Sequence, residues 1–358
     1  MDAKQRLDLI KQVGEEIITE EELKTLLETK KQIIAYDGFE PSGTSIHIAQ
    51  GLLRAVNVNK MTKAGCKFIF LVADWHAWAN NKMGGDLEKI QKVGKYLIEV
   101  WKACDMDLKN VEFVWSNELM NNQEYLKTVM QVARNNTVKR IIRTSQIMGR
   151  SESDSLQASQ IIYPCMQCAD IFHLKADITQ LGMDQRKVNV LAREIGPKLG
   201  FWKPVIISHH MLMGLPEPPK IKNAVERAIE MKMSKSSPDS AIFMNDGNEE
   251  VTRKVKKAYC PEGITEENPI LEYNKYIIFE KFASVKIERP DKFGGNLEFD
   301  SYNELEKAFA QKKLHPMDLK QATAEYLNRL IEPVRKNLER NSAAKKLKSE
   351  IENFKVTK

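Results

Sequence analysis

An α/β fold built on a doubly wound parallel sheet is what the sequence predicts, and three observations carry that prediction. Short apolar runs of the kind a buried parallel strand shows stand at residues 33–36 and 67–74, and further strands are expected at 111–115, 176–182 and 204–208. Helical segments separate them, as the crossovers between parallel strands require. From about residue 247 the composition turns helical and basic, which divides the chain into a first domain, 1–246, and an all-α C-terminal domain, 247–358.

The bulk properties set limits. At 358 residues and 42% hydrophobic, the chain buries a full core and has room for two domains. A net charge of +6 permits a polyanionic partner without demanding one. The five cysteines (Cys66, Cys104, Cys165, Cys168, Cys260) are odd in number and unevenly spaced, which points to free thiols in a reducing compartment. Cys165 and Cys168 form a C-x-x-C, but no second pair accompanies them and their setting is helical, so no protein-bound metal is expected. The mixed-charge N-terminus is not a signal peptide and no apolar run approaches membrane-spanning length, so the expectation is a cytoplasmic protein with no membrane contact.

Taken in order, residues 1–30 read as a charged N-terminal helical extension, with one helix capped near Thr19. The first strand leads into a turn with Gly38, Pro41, Ser42 and Gly43. Ser45 then sits where a cap belongs, before a helix that carries His47 in its first turn and ends at Gly65. Strand, glycine turn and helix start is how backbone N–H groups are aimed at phosphate, and it is equally an ordinary βα crossover. The run 67–74 is followed by Trp75 and His76 at the edge where open parallel sheets hold ligands.

A helix spans 86–106, and helical segments fill 121–147 beyond the third strand. Arg134, Lys139, Arg140, Arg143 and Arg150 are interleaved with isoleucines. That pattern is either a solvated helix face or an insertion that meets phosphate or a second subunit. In 160–170, at about 100° per residue, Tyr163, Gln167 and Asp170 fall within about 60° on one face, and Cys165 and Cys168 on the other. A phenol, an amide and a carboxylate grouped on an apolar helix are costly to bury without a polar ligand, unless that face lies in water.

The last strand ends in His209 and His210, a tandem that does not suit one metal. Pro216–Pro219 and a helix-like stretch, 222–231, separate it from Lys232-Met233-Ser234-Lys235-Ser236-Ser237. This last stretch is a cationic loop that polyphosphate would organise, or else a surface linker.

Together, His47-Ile48-Ala49-Gln50 and Lys232-Met233-Ser234-Lys235-Ser236 resemble the two signature motifs of class I aminoacyl-tRNA synthetases. The stretches Tyr36–Gly43, Ala73–Ala77, Tyr163-Pro164-x-x-Gln167-x-x-Asp170 and Gly182–Lys187 narrow this to a resemblance with tyrosyl-tRNA synthetases of the archaeal and eukaryotic cytosolic type, over about 30–340.

The resemblance implies a Rossmann-like catalytic domain with a connective insertion at about 116–155, the KMSKS loop at 232–236 and a helical anticodon-binding domain. It implies that Tyr36 and Asp170 hold the substrate's phenolic hydroxyl, while Tyr163, Gln167 and Gln185 take the α-amino group. Gly38, Gly43, His47, Gln50, Gly51, Lys232, Ser234 and Lys235 would bind ATP, with His47, Lys232 and Lys235 catalytic. Mg²⁺ would arrive with ATP. Phe293, His315 and Asp318 would read the anticodon of tRNA(Tyr), and the chain would form a homodimer through the insertion. Gln50 departs from the usual second histidine of the first motif. The inserted 216–231 leaves the loop's resting position open. A tryptophanyl enzyme and an inactive RNA-binding paralogue are the alternatives. The basic tail, 335–358, either touches RNA or is solvated.

Overall fold

A computed structural model describes residues 1–149, 155–221, 227, 231–233 and 238–356. The chain opens with α1 (Ala3–Lys11), β1 (Gly14–Ile18) and α2 (Glu20–Thr29). The strand β1 corrects the expectation of a purely helical extension. Its Glu16, Ile17 and Ile18 pair antiparallel with Ser208, Ile207 and Ile206, so it closes one edge of the main sheet. Thr19 does cap α2, its hydroxyl accepting from Glu22 N at 3.2 Å.

The alternating core follows: β2 (Ile33–Phe39), a π-helical turn at Ala49–Leu53 continuing into α3 (Arg54–Lys63), β3 (Cys66–Val72), α4 (Asp74–Ala79), α5 (Leu87–Lys102) and β4 (Val111–Trp115). Gly65, at φ +87°, ends α3 in the left-handed conformation that favours glycine. Next come α6 (Ser116–Met120), α7 (Gln123–Arg134), α8 (Val138–Ile142), α9 (Ala158–His173), β5 (Ile178–Gly182), α10 (Arg186–Ile195) and β6 (Val205–His209). Of the basic residues in the expected insertion, Arg140 is tied by an ion pair to Glu194 of α10. Arg150 lies outside the described residues.

The six strands run in the order β1-β6-β5-β2-β3-β4, all parallel except β1. After β4 the chain returns across the sheet to place β5 beside β2. The carboxyl ends of β2 and β5 therefore flank the topological switch point, where such sheets bind ligands.

Beyond 247 the chain is helical, with Asn248–Lys257, Pro269–Tyr273, Tyr302–Ala310, Pro316–Arg340 and Ser342–Ile351. It is not all-α, because Val285–Ile287 and Leu297–Phe299 form a small antiparallel hairpin. The cores are not separate either. One apolar cluster includes Ile33, Phe68 and Trp101 beside the sheet and Ile270, Leu327, Val334 and Ile351 from the C-terminal helices. Helices 316–340 and 342–351 both pack on α5, and Asn337 Nδ2 donates to Glu99 O at 3.0 Å.

Candidate active site

On β2, neighbouring side chains leave opposite faces of the sheet. Tyr36, 1% exposed, joins the cluster formed with α7 and α9. Gly38 makes room for it, since a Cβ there would lie 2.9 Å from the Tyr36 hydroxyl.

Asp170, on α9, is completely buried. Its Oδ1 accepts from Tyr125 Oη at 2.8 Å, and its Oδ2 lies 3.0 Å from His76 Nε2. The His76 ring meets the Tyr163 ring edge-on at 5.0 Å. Burial pulls the His76 imidazole down, but Asp170, helped by Glu40 and Asp74, outweighs it and its pKa is raised above the usual histidine value. Burial, with the Asp170 charge next, holds the phenols of Tyr36 and Tyr125 far above their ordinary range, so both remain hydroxyl donors.

On the same face, one turn before Asp170, Gln167 Nε2 donates to Gln185 Oε1 at 3.1 Å, and a turn before that the Tyr163 hydroxyl donates to Glu40 Oε2 at 3.4 Å. Thus Tyr36, Tyr163, Gln167, Asp170 and Gln185, expected to act together, line one side of the switch point. On the far side of α9, burial pushes the Cys165 thiol up to about 11 and Cys168 well above its usual value, so neither is a thiolate at neutral pH.

Sequence reasoning passed over Tyr125 and gave no partner to His76. Both come from helices remote in sequence, and the only available signal was that Asp170 needs donors. Asp74, in the same stretch as His76, is a pin rather than a site group. Its oxygens accept from Ser116 Oγ at 2.6 Å, Asn117 N at 3.0 Å and Gln91 Nε2 at 2.8 Å.

The opposite face of the sheet carries a second buried carboxylate. Asp37 Oδ2 meets Arg54 Nε at 2.8 Å, and the guanidinium lies 5.4 Å from the Phe70 ring centre and 5.9 Å from that of Trp101. Burial raises the Asp37 carboxyl to about 6 against the pull of Arg54. Nearby, Gln180 Nε2 lies 2.6 Å from His209 Nδ1. Burial and then Arg54 press the His209 imidazole down to about 3, which keeps it neutral.

The first motif is placed by backbone pairing. Ile48 N donates to Ile242 O at 2.9 Å and Met244 N to Ile46 O at 2.8 Å, so His47 sits in a bridge with Phe243. The helix therefore starts at Ile48, later than expected, and no side chain caps its first turn. Gln50 O accepts from Trp101 Nε1 at 2.7 Å. Gly51 serves the protein's own packing, for a Cβ there would lie 2.6 Å from Met244 Sδ. Gly43 is buried in the preceding turn.

Lys232 reaches Asp184 Oδ2 at 3.6 Å. Ser234 and Lys235 lie outside the described residues, as does most of 222–231. Among the described residues no group of three or more His, Cys, Asp or Glu is placed to hold a metal ion, and no helix is long and apolar enough to cross a membrane.

Between the hairpin strands 285–287 and 297–299, Phe293 is 60% exposed, with Lys292 Nζ 5.0 Å from its ring centre. Arg289 binds its loop to the next one, donating to Gly295 O at 2.9 Å and Lys313 O at 3.2 Å. There His315 Nδ1 caps the helix 316–340 by accepting from Met317 N at 3.2 Å, and Asp318 lies in that helix's first turn.

Comparison with known proteins agrees with this geometry. The model of the class I tRNA synthetases for tryptophan and tyrosine matches residues 28–332. A cytoplasmic tyrosine–tRNA ligase of Arabidopsis thaliana is 50% identical over 360 residues, covering 100% of this chain and 90% of the relative. A tyrosine–tRNA ligase of Saccharolobus islandicus is 44% identical, covering 95% of each chain. The solved tyrosyl-tRNA synthetase of Pyrococcus horikoshii in complex with L-tyrosine superimposes with a TM-score of 0.90 at 39% identity, over 98% of this chain and 100% of that one. With that extent of likeness, and a buried carboxylate set among phenols at the switch point, the chain belongs to the class I tRNA synthetases for tryptophan and tyrosine, on the tyrosyl side of that family.

Proposed function

We propose that the chain is a tyrosine–tRNA ligase, which activates L-tyrosine with ATP to tyrosyl-adenylate and pyrophosphate and then passes the tyrosyl group to the 3′ end of tRNA(Tyr). The observation that supports this most is Asp170, a buried carboxylate held by Tyr125 and His76 on the face that Tyr36 shares. A substrate hydroxyl donates to Asp170 and meets Tyr36 from the other side. The α-amino group goes to Tyr163, Gln167 and Gln185.

ATP enters as its magnesium complex, and the metal is held mainly through the phosphates. The stretch at His47 and Gln50, with Gly38 near the end of β2 and Gly43 in the turn after it, faces the phosphates, and Lys232 with Ser234 and Lys235 closes over them. No protein nucleophile is needed. The tyrosine carboxylate attacks the α-phosphorus, and the lysines stabilise charge on the departing pyrophosphate.

Tyrosine-dependent exchange of labelled pyrophosphate into ATP tests the reading. Exchange is expected with tyrosine and lost in Lys232→Ala, whereas preference for tryptophan would end the assignment. The tryptophan alternative is not favoured by relatives at 50% and 44% identity that are tyrosine–tRNA ligases.

The chain acts in the cytoplasm as a homodimer, joined through the face of the insertion where Leu126, Met130 and Val138 are 40%, 63% and 59% exposed. Met130→Asp is expected to yield a monomer on sedimentation, and an unchanged mass would remove this face from consideration. The part beyond residue 246 binds the anticodon, with the exposed Phe293 as stacking platform and His315 and Asp318 at base edges. Phe293→Ala then raises KM for tRNA and leaves pyrophosphate exchange intact.

A further inference from the structure

The tripeptide Met213-Gly214-Leu215, just beyond β6, is hydrogen-bonded on two sides. Toward the C-terminal helices, Met213 N donates to Glu272 Oε2 at 2.9 Å and Met213 O accepts from Tyr273 Oη at 2.8 Å. Leu215 O accepts from Tyr259 N at 2.8 Å. Toward the lysine loop, Gly214 N donates to Met231 O at 2.6 Å and Leu215 N to Ser240 O at 2.9 Å. Met213 also pairs antiparallel with Lys232 itself.

Met231 and Ser240 are the two stems of the loop that contains Lys232 and Lys235. One three-residue segment thus holds both stems, and the helix 269–273 grips that segment by its N–H and its C=O. The stems lie close against position 214: a Cβ there would come within 3.1 Å of Ser240 O, so a larger residue has to push that stem aside by a few tenths of an ångström.

Glu272 is itself fixed. His210 Nε2 lies 3.2 Å from its Oε2, and His210 Nδ1 lies 3.1 Å from Glu15 Oε2 on β1. The imidazole stacks on Tyr276 at 4.4 Å and 14°.

We infer that Glu272 and Tyr273 are positioning residues for adenylate formation: through Met213 they set where the stems of the lysine loop begin, and so where Lys232 stands over the triphosphate. This rests on the ligase reading above. The clamp belongs to the helical half and grips the backbone of the catalytic half. A displacement of 269–273 therefore moves the lysine, while the tyrosine-binding side chains on α9 and β2 stay in place.

The test is steady-state pyrophosphate exchange on the full chain, with KM for ATP, KM for tyrosine and kcat measured separately for wild type, Tyr273→Phe, Glu272→Ala, Glu272→Gln and Lys232→Ala. Tyr273→Phe removes a single oxygen and is expected to fold. It and Glu272→Ala should each lower kcat/KM for ATP by about tenfold, the size of one lost hydrogen bond to a positioning group. KM for tyrosine should remain within about twofold, and Glu272→Gln, which keeps an acceptor for Met213 N, should recover most of the loss. Unchanged ATP parameters in Tyr273→Phe overturn the inference, as does a rise in KM for tyrosine as large as the loss in kcat/KM for ATP, which would mark general structural damage. If instead Lys232→Ala is as active as wild type, it is the reading of the lysine loop that fails.

Discussion

The two faces of the sheet at its carboxyl edge each bury an aspartate, and they treat it differently. Asp37 is matched to Arg54, a partner that stays charged at any pH a protein survives, and the guanidinium lies beside the rings of Phe70 and Trp101. Asp170 is matched to a titratable imidazole and a phenol, His76 and Tyr125. The first arrangement is a fixed strut beneath the helix that follows the first motif. The second is a set of groups each able to donate or accept, which suits a ligand hydroxyl that also does both. Burial of a carboxylate alone therefore says little about function, and the chemistry of its partners says more.

Removing the strut should have the largest effect. Arg54→Ala leaves Asp37 buried without its counter-ion and should cost about 3–5 kcal/mol in denaturant unfolding. A loss under about 1 kcal/mol would mean the pair is no strut. Asp170→Asn should act on selection more than on stability. With tyrosine against phenylalanine in exchange assays, the preference should shrink by about one to two orders of magnitude, in line with 1–3 kcal/mol for a buried polar group left wrongly paired. An unaltered ratio would break the contrast between the two faces. Tyr125→Phe takes away one donor to Asp170, and a roughly fivefold rise in KM for tyrosine is expected from about 1 kcal/mol. No change would show that His76 alone positions the carboxylate.

The smallest effect is the pH response. A histidine whose folded pKa is raised contributes stability that is complete below its unfolded pKa and is lost as pH rises through the folded one. For His76 that loss falls on the alkaline side of about 6.5. His210 contributes over an overlapping window, because Glu15 and Glu272 raise it to about 9 against the opposing effect of burial. The difference in Tm between wild type and His76→Gln, followed from pH 6 to 9 in a constant buffer series, isolates His76 and should narrow as pH rises. A difference that stays flat would place His76 with Arg54 as a permanent partner.

Much of this arrangement was legible in the chain. The strands β2 and β3 announced themselves because a parallel strand covered on both faces carries a run of apolar residues, and the edge strand β4, only partly covered, still falls at 111–115 as expected. The grouping of Tyr163, Gln167 and Asp170 on one face of α9 follows from helical periodicity alone. By contrast β1 was hidden, since Gly14-Glu15-Glu16-Ile17-Ile18 reads as part of a charged helical stretch and an edge strand needs few apolar residues. The hairpin strands at 285–287 and 297–299 are too short to leave a pattern.

The helix after β2 starts past Ser45 because 46–48 is first engaged by 242–244, a pairing no local rule could foresee. The partners of Asp170 were hidden for the same reason, as Tyr125 and His76 reach it from separate helices. The glycine at 51 was legible as a close approach, and within the chain it is Met244 that comes close.

The shared apolar cluster has a consequence for anyone who would cut the chain at 246. On α5, Ile90, Val93, Leu97 and Val100 are buried in a core to which the last two helices contribute. A fragment ending there would present that greasy stripe to solvent and would be expected to precipitate or self-associate. The parts before and after residue 246 are thus expected to melt together, and a weakness introduced at either end should be felt along the entire polypeptide.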